Sequence, residues 1–143
     1  MKLKKNEGRV YFSFDGVDYD PNEITKILNI EPTNIRYKGE FPSGKLPKET
    51  SWILSTQNIV DEYIDIYQMA TSITKILKPK INLINKIREQ FNVTTRLEVV
   101  LWFSVDENSS TPAIGFEIET IEFLGKVGAF IDIDTYLNPC EEV

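Results

Sequence analysis

The chain has 143 residues, 41% hydrophobic and 27% charged, with 16 basic and 22 acidic side chains giving a formal net charge of −6. This is the balance of one ordinary globular domain. It contains no histidine and one cysteine, Cys140. Histidine-based nucleophile triads, histidine general bases, histidine zinc sites, intramolecular disulfides and multi-cysteine metal centres are therefore excluded.

The organisation read from the sequence is a single domain over residues 1–143, with a folded core at about residues 9–136 and a loose tail at 137–143. No apolar run approaches the roughly 20 residues needed to span a bilayer, so no membrane partner is expected. Met1-Lys2-Leu3-Lys4-Lys5 is positive without the apolar stretch of a signal peptide, which points to the cytoplasm. The acidic balance argues against nucleic acid, whose binders carry a basic face. Lys75, Lys78, Lys80, Lys86 and Arg88 read as a solvated helix surface near a helix end.

In chain order, residues 9–14 alternate apolar and polar side chains, with Val10, Phe12 and Phe14 on one side, and predict a strand. Asp15-Gly16 turns the chain. Asp20-Pro21-Asn22-Glu23 predicts a helix start, with Asp20 as N-cap, Pro21 in the first turn and Glu23 reaching back as in a capping box. Ile24, Ile27 and Leu28 form the buried stripe of this helix, which Pro32 ends. Residues 34–50 are polar, contain Gly39, Pro42, Gly44 and Pro47, and read as a long surface loop. Residues 51–55 form a short strand carrying Trp52.

A long helical segment capped by Asn58 follows, carrying Ile59, Tyr63, Ile66, Tyr67, Ala70, Ile73, Ile76 and Leu77 at helical spacing. Pro79 kinks it or begins a second helix continued by Ile81, Ile84, Ile87 and Phe91. Residues 94–105 are the longest strand, and residues 113–118 read as its returning hairpin partner. A short helix over about 120–127 ends at Gly128, a natural left-handed position. Residues 129–136 are the last strand. The order is strand, helix, strand, helix, strand, strand, helix, strand. It predicts an α+β fold, with a mainly antiparallel sheet of about five strands and helices packed on one face.

Helices on one face leave the other open. Strand parity assigns Val10, Phe12, Phe14, Leu97, Val99, Leu101, Phe103, Ile114, Phe116, Ile118, Ile131 and Ile133 to the core. The open face then carries Tyr11, Ser13, Glu98, Val100, Trp102, Ser104, Glu117, Phe130, Asp132, Asp134 and Tyr136. Aromatics commonly pack across strands for structural reasons alone. Aromatics ringed by acids also suit a surface that takes a basic protein. Base-stacking RNA-binding sheets share the aromatics, but these carboxylates would repel phosphate.

Asp132 and Asp134 lie two residues apart on one strand, so their side chains share a face at about 7 Å. With Glu98 or Glu117 they could hold a divalent cation or share acid and base roles, although no complete ligand set is assigned. No cofactor is called for. In the long loop, Arg36 or Lys38 is expected beside the Trp52 indole, with Trp52 anchoring the loop to the body. Cys140 lacks a basic neighbour and reads as an incidental thiol.

Asp15-Gly16, then Asp20-Pro21-x-Glu23-Ile24-Thr25-x-x-Leu28-x-Ile30-x-Pro32-Thr33, Lys38-Gly39-Glu40, Ser51-Trp52 and Ile131-Asp132-Ile133-Asp134-x-Tyr136 follow one another in this order. This arrangement resembles the bacterial domain-of-unknown-function family 4279 over residues 10–136. The resemblance implies a small single-domain bacterial protein, emphasises Trp52 and Asp134-x-Tyr136, and brings no activity with it.

The function expected is a non-enzymatic binding module, an immunity-type inhibitor of a toxin or another basic protein. Its partner contacts would be Tyr11, Glu98, Trp102, Glu117, Phe130, Asp132, Asp134 and Tyr136. Self-association is left open. The second expectation is a metal-dependent enzyme or small-ligand-binding domain using Asp132 and Asp134 with Glu98 or Glu117.

Overall fold

The computed structural model describes residues 2–139; Cys140 and the end of the expected tail lie outside them. Strand β1 (Asn6–Gly16) runs through the middle of a six-stranded sheet. After it come helix α1 (Pro21–Leu28), edge strand β2 (Asn34–Arg36), β3 (Thr50–Ser55) and the short β4 (Ile59–Asp61). Helices α2 (Ile66–Leu77) and α3 (Ile81–Phe91) are joined by a 3₁₀ turn at Lys78–Lys80, where Pro79 begins the second helix. The chain closes with β5 (Thr94–Ser104), α4 (Ile118–Lys126) and β6 (Phe130–Asn138).

The sheet order is β2-β3-β1-β5-β6, with β4 pairing the start of β1. All pairs are antiparallel except β5 with β6. The fold is thus α+β and mostly antiparallel. The strand order differs from the sequence reading in three places.

Residues 34–36 leave the expected loop and pair with β3, because Ile35, opposite Trp52, can pack against the core. Residues 59–61 pair with β1 rather than starting a helix. The helix begins instead at Asp65, whose side chain accepts from the Gln68 N–H at 3.0 Å. Residues 113–117 form no strand, since the flank of β5 that they would occupy is taken by β6 after the α4 crossover.

Capping follows local chemistry. The Asp20 side chain accepts from the Asn22 N–H at 2.9 Å, with Pro21 in the first turn. Glu23 does not reach back; its carboxylate pairs with Lys26 at 3.2 Å. The first helix ends at Asn29 in the left-handed region (φ 54°), ahead of Pro32. Gly128, at φ +65°, redirects the chain from α4 into β6, a conformation that L side chains rarely adopt.

Every helix contributes to one core. Val10, Phe12 and Phe14 of β1, Trp52 and Leu54 of β3, and Leu97, Val99 and Leu101 of β5 meet Ile24, Leu28, Ile73, Leu77, Ile84, Ile87 and Phe123. Trp52 is fully buried, edge-to-face with Phe14 at 5.5 Å, and its Nε1–H donates to Thr25 Oγ1 at 3.0 Å. The indole's polar end is therefore satisfied inside an apolar setting.

Four residues expected in this core are exposed: Ile114, Ile118, Ile131 and Ile133. Ile114 and Ile118 lie outside any strand, and α4 buries Phe123 and Leu124 while turning Ile118 and Ile121 to solvent. That leaves edge strand β6 only partly covered. The ends of the chain also hold more structure than expected. Asn6 is buried, donating to Glu62 O and Ser110 O and accepting from the Ser104 N–H at 2.8 Å. Leu137 and Asn138 complete β6, and Asn138 Nδ2 donates to Lys5 O at 2.8 Å.

Candidate functional site: the open sheet face and the β6 edge

The face away from the helices is not bare. Register places Tyr11, Ser13 and Asp15 of β1 beside Ser55, Ile53 and Ser51 of β3 and beside Glu98, Arg96 and Thr94 of β5. Tyr11, Ile53 and Val100 form a small second apolar cluster under Trp102. Long side chains cover the rest. Arg9 lies over the Trp102 ring at 5.5 Å, Arg96 lies over Tyr11 at 5.7 Å, and Trp102 stacks on Tyr136 at 5.4 Å.

At the centre is an ion network. Arg96 Nε and Nη2 donate to Asp15 Oδ2 and Oδ1, both at 3.1 Å, a fork that matches carboxylate geometry. Arg96 Nη1 donates to Glu98 Oε1 at 3.0 Å. Ser51 and Ser13 hydroxyls also donate to Asp15. Burial tends to lower the Arg96 pKa, but Asp15, Tyr11 and Glu98 outweigh it and the net shift is upward. A cleft of about 270 Å³ opens over this network, lined in part by Asp15, Arg36, Ser51, Arg96, Phe130 and Asp132.

Glu98 is 2% exposed. In the parallel β5–β6 register Asp132 lies beside it and Asp134 beside Val100. One carboxylate oxygen from each of the three acids falls within 4.8 Å of the others. Burial pushes the Glu98 pKa up to about 8; Arg96 opposes the shift, and Asp134 and Asp132 add to it.

The native protein therefore keeps a proton that the unfolded chain loses near 4.5, so stability should fall as pH rises between these values and level off above about 8. With no histidine in the chain, little else titrates there. Urea melts at pH 5.5 and 8 in EDTA should show this loss in the wild type and not in Glu98→Gln.

The expected partner residues separate into three groups. Tyr11 and Glu98 are buried and offer no free contact surface: Arg96 and Trp102 pack on Tyr11, and Arg96 pairs with Glu98. Glu117 precedes α4 and is not on the sheet at all. Phe130 and Tyr136 are 54% and 50% exposed, and with half-buried Asp132, Asp134 and Trp102 they form a strip along β6.

Arg36 and Lys38 do not flank the Trp52 indole. Arg36 pairs opposite Ser51 on the open face, whereas Trp52 points into the helix-covered core. The backbone N–H of Lys38 donates to Thr50 Oγ1 at 3.0 Å. The loop closes on itself through Gly39 N–H to Pro47 O and Phe41 N–H to Leu46 O, and most of it is exposed rather than packed on the body.

Sequence reasoning missed Asp15 and Arg96. The available signal was a pair of charged residues two apart, Arg96 and Glu98, inside a strand whose other side carries Leu97, Val99, Leu101 and Phe103; buried charges need partners.

The molecule is a sheet domain with one helix-packed core and a polar, self-covered second face ending in an acidic edge. The chain belongs to the family described as domain of unknown function DUF4279, whose model matches residues 6–138. No curated protein and no solved structure matches it. No helix among the described residues is long and apolar enough to cross a membrane.

Proposed function

We propose that this protein is a non-enzymatic binding module that docks a basic protein partner along β6, in the manner of an immunity protein that blocks a toxin. The observation that carries this reading is the edge strand itself. Among the described residues β6 pairs with β5 alone, which leaves its other backbone edge for a further strand. Phe130 and Tyr136 flank Asp132 and Asp134 on one face, while exposed Ile131, Ile133 and Leu137 line the other. Aromatic and aliphatic anchors supply contact energy, and the carboxylates, within a net charge of −6, speed encounter with a basic partner and orient it. A second copy of the chain fits less well, since it would set Asp132 and Asp134 against like charges.

The test is calorimetric titration with the product of the adjacent gene at low and high salt. Binding should weaken at least tenfold between roughly 50 and 500 mM salt, as screened charge pairs do. Phe130→Ala should weaken it at both salts. Absence of binding, or binding indifferent to salt, contradicts the reading.

A further inference from the structure

We propose that Glu98, Asp132 and Asp134 form a seat for one divalent cation of calcium's size, clamping β6 to β5. The spacing fits such an ion. Calcium holds oxygens at 2.3–2.6 Å, so two of its ligands lie at most about 5 Å apart, and its flexible shell tolerates uneven spacing that magnesium's rigid octahedron does not. The three carboxylates here reach within 4.8 Å of one another. Parallel pairing fixes this spacing, because Asp132 is in register with Glu98 and Asp134 follows on the same face.

The second observation is independent of the clustering. Glu98 is almost completely buried, and without a proton shared with Asp132 its Oε2 has no hydrogen-bond partner. Among the described residues only Thr120 Oγ1 shares that state. A buried carboxylate oxygen without a donor is costly, and a cation would supply what it lacks. Its Oε1 is already taken by Arg96 Nη1, which leaves Oε2 for a ligand.

Once Glu98 gives up its proton to the ion, the local charge balance points the same way. Arg96 is the only basic side chain among the described residues that is ion-paired with any of Asp15, Glu98, Asp132 and Asp134. Asp132 and Asp134 are half-buried, giving an ion a path from solvent and room for waters to complete its shell. An all-oxygen donor set selects a hard cation over zinc or copper. The inference does not depend on the partner reading, and it is tested on the isolated protein.

Protein stripped with EDTA and transferred to chelator-free buffer is titrated with CaCl₂ by calorimetry. It is then melted with and without millimolar CaCl₂ at ionic strength matched with NaCl. The expected result is one saturable site and a rise of about 5 °C in Tm at calcium well above its Kd. MgCl₂ should give a smaller rise. Asp134→Asn and Asp132→Asn should each fold, melt in EDTA close to the wild type, and lose at least tenfold in calcium affinity. No heat and an unmoved Tm would overturn the proposal, leaving a proton shared between Glu98 and Asp132 to satisfy the buried oxygen. Undiminished binding by both variants would also overturn it, placing the ion elsewhere.

Discussion

Trp52→Ala should destabilise the domain by about 3–5 kcal/mol, the usual cost of deleting a large aromatic from a core. Trp52 is fully buried between Phe14 and helix α1. Truncation would open a cavity, remove the edge-to-face contact and leave Thr25 Oγ1 without its donor. The loop that precedes β3 should matter far less. Lys45 lies in its exposed part, so Lys45→Ala should change stability by less than about 0.5 kcal/mol. Urea melts of both variants check this. A Trp52→Ala protein as stable as the wild type would mean that the indole is not a core residue.

Arg96→Met should cost a similar amount, about 3–5 kcal/mol, for a different reason. The guanidinium is the ion-pair partner of both Asp15 and Glu98, whose side chains are 7% and 3% exposed. Methionine preserves much of the volume over Tyr11 but leaves two buried carboxyl groups without their cation. Adding Asp15→Asn and Glu98→Gln to Arg96→Met should recover part of the loss, because the unpaired buried charge of Asp15, and that of Glu98 above about pH 8, disappears. An equal loss with and without those changes would assign the effect to packing over Tyr11 rather than to charge.

The long alternating strands were legible in the sequence because a half-buried strand imposes its period on the side chains. β1, β5 and β6 all show it, as does the Asp20-Pro21 helix start. What escaped has no such period. β2 and β4 are three residues each and are held by backbone pairing to a neighbour. Residues 113–118 alternate convincingly, yet β6 occupies the position they would need. A tertiary arrangement overrode a local preference there.

The site was legible in part. Parity put Glu98, Asp132 and Asp134 on one face and Trp102 with Tyr136 on the same face, where the structure brings each set together. It could not reveal that Arg9 lies back over Trp102 and Arg96 over Tyr11, or that Tyr11 and Glu98 are buried. Side-chain reach across strands depends on register, and register depends on pairings far apart in sequence.

The docking role of β6 is tested most directly by moving one charge at a time. In EDTA, the adjacent-gene product is titrated into the wild type, Asp134→Lys and Glu89→Lys. Both variants change net charge equally, but Asp134 lies on β6 and Glu89 on the exposed side of α3, across the sheet. Docking on β6 predicts at least a tenfold loss of affinity for Asp134→Lys, about 1.4 kcal/mol, and less than about threefold for Glu89→Lys. Equal losses would mean that only overall charge matters, and an unaffected Asp134→Lys would place the interface elsewhere.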